Sequence, residues 1–303
     1  MFTRNTSLVI PTKDRSEKLI YLLKKIQEYN IFFREIIIVD SSEKNHKKKI
    51  INFIGKKKIR LIHSYPSTTH QRNLGLIKAI SSEYVLFLDD DIKIQKNSFK
   101  EMNNAIKKYK KLNDICSYAF NLSSNQKKFK NENFKKGKIL KFLGLYSNQP
   151  GKVLKSGWHT KISNLKNDTY VDWVYSGATI FKSNKIKKLK FKNLNKGFNY
   201  LEDLHFSFKL TKKKLKHIVI AKAKVKNPNF IERNDFKFGF IEIVNRHQFV
   251  KYFKLNKLSF YVTAILRTIY LILGVLEFKT SWIKRMIGNY YGIFNCLIKE
   301  FKK

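Results

Sequence analysis

Three short apolar segments, each ending in polar residues, most constrain the fold of this chain. They are Thr6–Pro11, Glu35–Asp40 and Glu83–Asp89. Amphipathic patterns such as Ser16–Tyr29 predict helices between them. Continuous apolar strands that alternate with helices are typical of a parallel sheet covered on both faces. Because ligands bind beyond the carboxyl ends of such strands, we expect the three polar strand ends along one crevice.

Net charge is the feature of the composition that most limits function. The 303 residues include 63 Lys and Arg against 22 Asp and Glu, which gives a formal net charge of +41. This excess indicates attraction to a polyanion such as nucleic acid, an anionic membrane or a phosphate-bearing substrate. It is equally consistent with a bias toward A/T-rich codons, because Lys, Asn, Ile and Phe are abundant together. With 43% apolar residues, a sizeable core is expected and global disorder is disfavoured.

Cysteine content and the N-terminus both indicate a cytoplasmic protein. Cys116 and Cys296 are far apart and form no CxxC pair, which argues against a disulfide framework or a zinc site. The N-terminal segment enters a short apolar strand directly and lacks the longer apolar run of a signal peptide. We therefore expect a reduced protein that is not exported.

An acidic triplet, Asp89-Asp90-Asp91, ends the last of the three apolar segments. Adjacent carboxylates repel one another unless a positive charge neutralises them. Carboxylate oxygens suit Mg²⁺ or Mn²⁺, which can bridge to phosphate oxygens and act as a Lewis acid on a leaving diphosphate. The alternative is a solvated acidic turn, or the cap of a helix at Ser98–Tyr109. The convergence of polar strand ends favours the metal site.

Six segments within residues 6–210 resemble glycosyltransferase family 2, in the family's order and at roughly its spacing. They are SLVIPTKDR (Ser7–Arg15), IIIVDSS (Ile36–Ser42), QRNLGL (Gln71–Leu76), YVLFLDDDI (Tyr84–Ile92), VDWVYSGATIF (Val171–Phe181) and LEDLHFSFKL (Leu201–Leu210). Single segments such as QRN are weak signals, whereas six in order are specific. The resemblance implies the GT-A fold, an α/β and Rossmann-like architecture whose mostly parallel sheet is flanked by helices.

The resemblance also implies a nucleotide-sugar donor site. The residues that match it are Pro11, Thr12, Asp14, Arg15, Asp40, Arg72, Asp89 and Asp90. Among them, Asp40 matches the carboxylate that hydrogen-bonds the nucleobase, and Arg72 matches a basic residue beside the base and diphosphate. Asp91, with Asp89, is assigned to a divalent metal, Mn²⁺ or Mg²⁺. How Asp89 and Asp90 divide the ribose and metal contacts is left open.

Catalysis is implied at the ED motif of the family, which matches Glu202-Asp203. Asp203 is the expected general base, which takes the proton of an acceptor hydroxyl while that oxygen attacks the anomeric carbon and inverts it. Trp173, Ser176 and Gly177 are expected beside the donor sugar and the acceptor, with Gly177 allowing a close backbone approach.

Two positions depart from the family pattern. Asp14 stands where Asn is more usual, and His205 stands where an acidic residue is common. A lone histidine on a helix is more often a packing or surface residue than a ligand. Two other assignments have structural alternatives. Trp173 is also typical of a core residue, and Glu202-Asp203 of an exposed helix start.

The sequence pattern changes near residue 225 and predicts two regions. Residues 1–225 are expected to form the catalytic domain, with a donor half at about 1–110 and an acceptor half at about 111–225. Residues 226–303 are expected to be helical and membrane-associated. There, Ser259–Phe278 has the ~20 residues of a membrane span, but Arg267 opposes insertion by ~2.5–3.5 kcal/mol. Helices lying on an anionic membrane surface are therefore favoured over a single span or an oligomer interface.

The expected activity is transfer of a sugar, from a donor expected to be UDP-linked, to a lipid-linked or surface-polysaccharide glycan of the cell envelope. It is placed at the cytoplasmic face of the membrane. A nucleic-acid-binding protein is disfavoured because no reading module or aromatic platform accompanies the basic charge. A nucleotidyltransferase of similar sheet topology is disfavoured because the first loop, Pro11–Arg15, contains no glycine. The donor sugar, the acceptor and the oligomeric state are not readable from the sequence.

Overall fold

The structure is a computed structural model of the chain. It describes residues 1–55, 57–79, 81–123, 146–193, 200–227, 235–276 and 281–301. The described residues form two compact units, one within Met1–Gln126 and Ile162–Phe230 and the other within Lys127–Lys161 and Ile231–Lys303. The domain boundary at residues 225 and 226 remains a prediction. The two compact units do not follow it, because residues 146–161 group with the C-terminal helices.

The described strands of the first unit form one mixed sheet. They are β1 (Thr6–Thr12), β2 (Glu35–Asp40), β3 (Ile59–His63), β4 (Tyr84–Leu88), β5 (Lys93–Ile94), β6 (Ile115–Ser123), β7 (Thr169–Val171), β8 (Ala178–Lys182) and β9 (Lys216–Lys226). Their order is β3-β2-β1-β4-β8-β6-β9-β5, and β7 also pairs with β9. Strands β1 to β4 are mutually parallel, whereas β8 runs antiparallel to both β4 and β6. The α/β fold class is confirmed, and the polar ends of β1, β2 and β4 lie at one edge.

Helices follow the predicted alternation with strands in the first unit. The described ones are α1 (Ser16–Glu28), α2 (Lys44–Ile54), α3 (Thr68–Ala79), α4 (Ser98–Tyr109), α5 (Ser183–Ile186) and α6 (Glu202–Lys212), with a 3-10 helix at Phe2–Asn5. Helix α3 begins before the predicted start at Gln71, because the Ser67 hydroxyl accepts a hydrogen bond from the His70 amide (3.4 Å) and caps the first turn.

The core explains why the strand sequences are continuously apolar. Strands β1 and β4 are buried along their whole length. Apolar side chains of α1, including Leu19 and Leu22, and of α4, including Phe99, join Leu8 of β1 and Leu86 of β4 in one cluster. Each large apolar side chain buried in this way contributes about 1.5–3 kcal/mol to folding. This packing holds the parallel strands in register and so places their carboxyl ends side by side.

The second unit contains the described helices α7 (Phe236–Tyr252), α8 (Lys257–Leu276) and α9 (Ser281–Phe301), so the predicted C-terminal helices are present. Helices α7 and α9 approach closely at glycines. A Cβ atom on Gly239 would lie 2.3 Å from the Arg285 carbonyl oxygen, and one on Gly288 would lie 2.1 Å from that of Phe236. Side chains larger than hydrogen would therefore separate these helices.

A buried arginine joins α7 to residues 146–161 within the second unit. Arg246 donates from Nη1 to the Gly157 carbonyl oxygen (2.7 Å), and its guanidinium lies 4.6 Å from the centre of the Trp158 ring. Glu242 accepts from Arg285 (2.7 Å) and from Arg246 (3.5 Å). Burial raises the pKa of Glu242, but the neighbouring arginines lower it by more, so that the pKa falls to about 2. None of the helices that the structure describes combines the length and apolarity needed to cross a membrane.

Candidate active site

The loop after β1 contacts the acidic triplet directly. Thr12 Oγ1 donates a hydrogen bond to Asp90 Oδ2 over 2.7 Å. The Arg15 guanidinium lies 3.3 Å from an Asp90 oxygen and 3.2 Å from an Asp91 oxygen. Burial raises the pKa of Asp90 to about 6, although the hydrogen bond from Thr12 and the charge of Arg15 lower it. Asp90 is therefore a buried anchor for the first loop, whereas Asp89 and Asp91 keep more contact with solvent.

Asp14 and Asp40 organise the first and second loops. Asp14 has a left-handed φ of 52°, which Asp adopts more readily than most residues. Its amide donates to Ser42 Oγ (2.7 Å), and its carboxylate accepts from the Glu43 amide (2.8 Å). Asn would offer the same acceptor oxygen, which explains how Asp14 serves at this position. Asp40 is fully buried; its Oδ1 accepts from the Ser42 amide (3.0 Å), whereas its Oδ2 has no hydrogen-bond partner within the described residues.

Arg72 of α3 is the centre of the site. Its side chain is only 3% exposed. It donates from Nη2 to Asp89 Oδ1 (2.9 Å), and from Nη1 to Asp203 Oδ1 (3.0 Å) and Glu202 Oε1 (3.3 Å). Burial lowers the pKa of Arg72, but the three carboxylates raise it by more, so the guanidinium is charged. Since a buried charge requires hydrogen-bonded counter-ions, this cluster joins the end of β4 to the first turn of α6.

Two of the carboxylates that share the Arg72 cation, Glu202 and Asp203, ionise less readily than free ones. Burial raises the pKa values of both Glu202 and Asp203. Repulsion from the neighbouring carboxylates raises them further, whereas Arg72 lowers both, and hydrogen bonding from Ser176 lowers that of Asp203. Because proton transfer is most efficient when the pKa of the base lies near the working pH, a raised pKa suits a carboxylate that must accept a proton.

Gly177 is required by the position of Asp89. The Asp89 amide donates to the Gly177 carbonyl oxygen over 2.9 Å. A Cβ atom on residue 177 would lie 2.1 Å from Asp89 Oδ2 and 2.2 Å from its Cγ, which is far inside van der Waals contact. The close backbone approach expected at Gly177 is therefore observed toward this carboxylate, and its contact with a sugar stays a prediction.

The other predicted site residues lie in the same unit. Trp173 is buried and meets Tyr175 edge to face, with 4.7 Å between the ring centres, as its core reading predicts. Ser176 is fully buried, and Pro11 lies within β1 where that strand pairs with β2. His205 is buried too, and burial lowers its pKa to about 3, so its imidazole is neutral. The packing interpretation of His205 agrees with this environment.

Sequence reasoning did not single out Gln71, which ties two strand ends together. Its Nε2 donates to the carbonyl oxygens of Thr12 and Val39, each over 2.8 Å. Gln71 precedes Arg72 in the QRN segment, so one turn of α3 both spaces the first two loops and supplies the buried cation. The QRN segment that contains Gln71 could be recognised in the sequence. The role of Gln71 in spacing the two loops could not, because it depends on tertiary structure.

A second unanticipated group braces α6, which carries Asp203. Ser207 Oγ donates to the Asp203 carbonyl oxygen (2.7 Å). His217 Nε2 donates to the Ser207 carbonyl oxygen (2.9 Å), and its Nδ1 accepts from Ser117 Oγ (2.6 Å). Burial lowers the pKa of His217 to about 4, which keeps the ring neutral and able to serve as donor and acceptor at once. Ser207 lies in a motif segment, whereas His217 had no sequence signal.

The acidic triplet offers carboxylate oxygens to a divalent metal. Within the described ranges, no three or more His, Cys, Asp or Glu side chains are grouped to hold an ion. Mg²⁺ at phosphate sites needs fewer, because one or two carboxylates suffice when substrate phosphates and water complete its shell. Asp89 and Asp91 meet that lower requirement, with side chains 37% and 11% exposed and with the hard oxygen ligands that such ions prefer.

The strand order and the acidic end of β4 define the GT-A class of glycosyltransferase folds. The chain is similar to mannosyltransferase PcManGT from Pyrobaculum calidifontis, solved with GDP-Man and Mn²⁺ (TM-score 0.54, 12% identity, 98% of this chain and 87% of that chain). It is also similar to GalNAc-T7 solved with UDP, GalNAc and Mn²⁺ (0.53, 14%, 73% and 43%) and to S. aureus TarS 1-349 (0.50, 16%, 85% and 68%). At these identities the likeness shows the fold alone.

A sequence profile identifies the family. The profile of glycosyl transferase family 2 matches residues 7–163, just over half of the chain. The chain belongs to this family, which confirms the resemblance, and its class is glycosyltransferase. The match ends before Glu202-Asp203, so the role of those residues stays a prediction. No curated protein is significantly similar to the chain in sequence.

Proposed function

We propose that this chain is an inverting glycosyltransferase that moves a sugar from a UDP-linked donor to a hydroxyl of a lipid-linked or surface-polysaccharide glycan. The observation that carries the proposal is the cluster around Arg72, which joins Asp89 at the end of β4 to Asp203 on α6. This arrangement supplies a phosphate-side carboxylate and a candidate base within one hydrogen-bonded group. Solved structures of the same fold contain a nucleotide or nucleotide-sugar with Mn²⁺, which supports the donor class.

Nucleobase recognition is assigned to Asp40. Its Oδ2 is buried, accepts no hydrogen bond from the described residues and lies 3.7 Å from His63 Nδ1, so it retains the capacity to accept one. The imide N–H of a uracil base would satisfy this oxygen. The adjoining first loop, which contains Asp14 and Arg15, then lies toward the ribose and diphosphate, and Arg15 supplies a positive charge to the latter.

Asp203 is assigned as the general base. Its carboxylate accepts the proton of the acceptor hydroxyl as the hydroxyl oxygen forms a bond to the anomeric carbon. The bond from that carbon to the diphosphate oxygen breaks on the opposite face, and the electron pair leaves with the nucleoside diphosphate. Arg72 holds the Asp203 carboxylate through Oδ1 (3.0 Å), and the proton is assigned to Oδ2. The fixed position of the base matters because proton transfer requires hydrogen-bond contact with the acceptor.

Asp91, together with Asp89, would hold a divalent metal, either Mn²⁺ or Mg²⁺. When bound, such an ion neutralises the negative charge that develops on the departing diphosphate. Asp90 contributes differently, since its hydrogen bond to Thr12 and its ion pair with Arg15 anchor the first loop.

Asp91→Ala tests the donor and metal assignment. We expect hydrolysis or transfer of a nucleotide-sugar in the presence of Mn²⁺ to fall by about 10²–10³-fold, as for loss of one electrostatic stabiliser. The measurement is nucleoside diphosphate release across a panel of UDP- and GDP-sugars. Asp114→Ala is the matched control, because Asp114 is a surface aspartate paired with Lys216 (2.7 Å). Equal rates in wild type and Asp91→Ala, or no release from any donor, would refute the proposal.

We also assign the acceptor to a membrane surface, with α8 and α9 as the contact. Helix α8 exposes Leu258, Val262, Ile265 and Ile269 along one side. Helix α9 exposes Ile283, Ile287, Tyr290, Tyr291, Phe294, Leu297 and Phe301. These spacings form apolar stripes, and basic residues such as Lys257, Lys284 and Lys299 accompany them. An apolar stripe with basic neighbours is typical of helices that lie at an anionic bilayer surface.

A double substitution in α9, Ile287→Ser with Phe294→Ser, tests the membrane contact. We expect it to reduce co-flotation with vesicles of phosphatidylglycerol and phosphatidylcholine by at least about tenfold, since each lost apolar contact costs about 1.5–3 kcal/mol. The matched control is Phe32→Ser with Ile77→Ser in the first unit, where the side chains are similarly exposed (61% and 57%, against 63% for Phe294). Equal flotation of the two variants would contradict the assignment.

A further inference from the structure

An open cleft of about 400 Å³ lies at the ends of β6 and β9 in the first unit. Its lining combines apolar surface with polar and basic side chains. The residues that carry the argument are Asn121, Ser123, Lys166, Lys222 and Lys224. The remaining lining residues add no acidic side chain. Neither the sequence motifs nor the assigned donor site uses any of these positions.

The cleft is built by a bulge in β9. Phe120 pairs with Ile220, and the next β6 residue, Asn121, pairs with Lys224, so β9 advances four residues while β6 advances one. The extra residues, 221 to 223, are not paired with β6, and Lys222 is one of them. Bulges of this kind re-aim side chains and are common beside functional sites.

Buried and half-buried polar side chains hold the bulge in one conformation. The Ala221 carbonyl oxygen accepts from Asn121 Nδ2, and the Ala221 amide donates to Asp168 Oδ1, each over 2.9 Å. Asn121 also holds the opposite wall, where it donates to the Leu165 carbonyl oxygen (2.8 Å) and accepts from the Leu165 amide (3.0 Å). Tyr109 donates to the other Asp168 oxygen (3.0 Å). The walls are therefore preorganised, which lowers the entropic cost of binding a ligand.

The lysines of the cleft, Lys166, Lys222 and Lys224, have no ion-pair partner among the described residues. The acidic side chain of the bulge, Asp168, is engaged with Tyr109 and Ala221. Three lysines therefore line one concavity, and an anion of more than one charge would be attracted to all of them. Lysine is a common phosphate ligand as a point charge.

The cleft lies at the same edge of the sheet as the acidic triplet. Strands β4, β6 and β9 run in one direction, because β8 is antiparallel to β4 and β6 while β9 is parallel to β6. The chain that leaves Asp91 pairs with the end of β9, with Lys93 opposite Lys226. A two-residue step of at most about 7 Å and a cross-strand distance of about 5 Å put the Cα atoms of Asp91 and Lys226 within about 12 Å.

We propose that the β6–β9 cleft binds a phosphate group of the acceptor substrate. This assignment rests on the proposed glycosyl transfer and names its acceptor class, a phosphate-bearing glycan or a lipid-linked sugar phosphate. The polar walls fit the sugar hydroxyls, and the lysines fit the phosphate. The donor diphosphate is held elsewhere, by the loops after β1 and β4.

Rates of lysine acetylation in the full chain, measured by mass spectrometry, test the site. The probes are glycerol 3-phosphate and mixed micelles of a polyprenyl phosphate, compared with glycerol and with plain micelles at equal ionic strength. A probe at about twice its Kd fills two thirds of the sites, so acetylation of Lys166, Lys222 and Lys224 should slow about threefold. Three exposed lysines without ion pairs, Lys18, Lys44 and Lys48, are the internal controls and should not change.

The two probes distinguish the source of the phosphate. Protection by glycerol 3-phosphate identifies a soluble glycan phosphate, and protection only by the polyprenyl phosphate identifies a lipid-linked one. Lys222→Gln should abolish most of the protection at Lys224, whereas Lys48→Gln should leave it intact. Equal slowing at all six lysines, or no slowing with either probe, overturns the assignment. Nucleoside diphosphate release by the wild type, measured on the same preparation, shows separately whether the proposed transfer activity holds.

Discussion

Replacing Arg72 with methionine is expected to lower the free energy of unfolding by about 3 kcal/mol. Arg72 is the shared cation of Asp89, Glu202 and Asp203, so its removal leaves three carboxylates facing one another around a buried apolar side chain. The expected loss lies at the low end for a broken buried ion pair, because the Asp89 side chain is 37% exposed and solvent screens it. Urea unfolding at pH 7.5, followed by tryptophan fluorescence, measures the change.

The stability of Arg72→Met should also depend on pH in a defined direction. Burial already raises the pKa values of Glu202 and Asp203 in the folded state, and loss of the cation raises them further. Over the interval between the ordinary and the raised pKa values, the folded protein binds more protons than the unfolded chain. Stability therefore falls as pH rises through this interval. We expect the deficit relative to wild type to be smaller at pH 5 than at pH 8.

A matched arginine separates this effect from general loss of charge. Arg60→Met removes an exposed guanidinium that pairs with Glu35 over 3.6 Å, and its side chain is 53% exposed. A surface pair of this kind contributes at most about 1 kcal/mol, so the control should be nearly as stable as wild type at both pH values. A deficit in Arg72→Met that does not shrink at low pH would show that the carboxylates are not the cause.

Asp203→Asn is expected to reduce glycosyl transfer by about 10²–10⁴-fold, the usual contribution of a general base. The amide keeps the shape of the side chain and removes its capacity to accept the proton. It also leaves Arg72 with two carboxylates, and it relieves part of the repulsion with Glu202. We therefore expect the folded state to keep its stability while the catalytic rate falls.

Measuring kcat and KM separately for the nucleotide-sugar tests this role. If Asp203 is the base, kcat falls and the KM for the donor changes little, because Asp203 is assigned to the acceptor proton. Asp114→Asn, on the surface, is the control for loss of a carboxylate. Transfer by Asp203→Asn within tenfold of the wild-type rate would assign the base to another group, and Glu202→Gln would then be the variant to measure.

Much of the fold could be predicted because the strands carry their own signal. The segments ending at Pro11, Asp40 and Asp89 are apolar without interruption, which is the pattern of strands buried on both faces. Helix α1 shows the spacing of a single buried stripe, and Leu19, Leu22, Leu23 and Ile26 are all buried. The antiparallel strand β8 and the two-residue strand β5 were not predicted, since a short apolar segment does not encode the direction of its neighbour.

The sequence named candidate site residues one by one, and their roles stay predictions; the interactions among them were not predicted. Arg72 was expected near a diphosphate, and the structure shows it hydrogen-bonded to Asp89, Glu202 and Asp203. Gly177 was expected to allow close approach of the backbone, and the atom that approaches is a carboxylate oxygen of Asp89. These contacts join positions up to 131 residues apart, so no local pattern could have revealed them.

For the acidic triplet, the contributions of the sequence and of the tertiary structure can be separated. The sequence by itself determined that three carboxylates follow a buried strand, and therefore that a cation must lie close to them, because adjacent like charges repel. Only the tertiary structure decided which cations these are in the folded chain, namely Arg15 at Asp90 and Asp91 and Arg72 at Asp89. The tertiary structure also decided that the β6–β9 cleft exists, because the bulge results from a register shift between the two paired strands. The repulsion between adjacent carboxylates can be recognised from the sequence alone. Which positive side chains neutralise them depends on the distant segments that the packed core brings together.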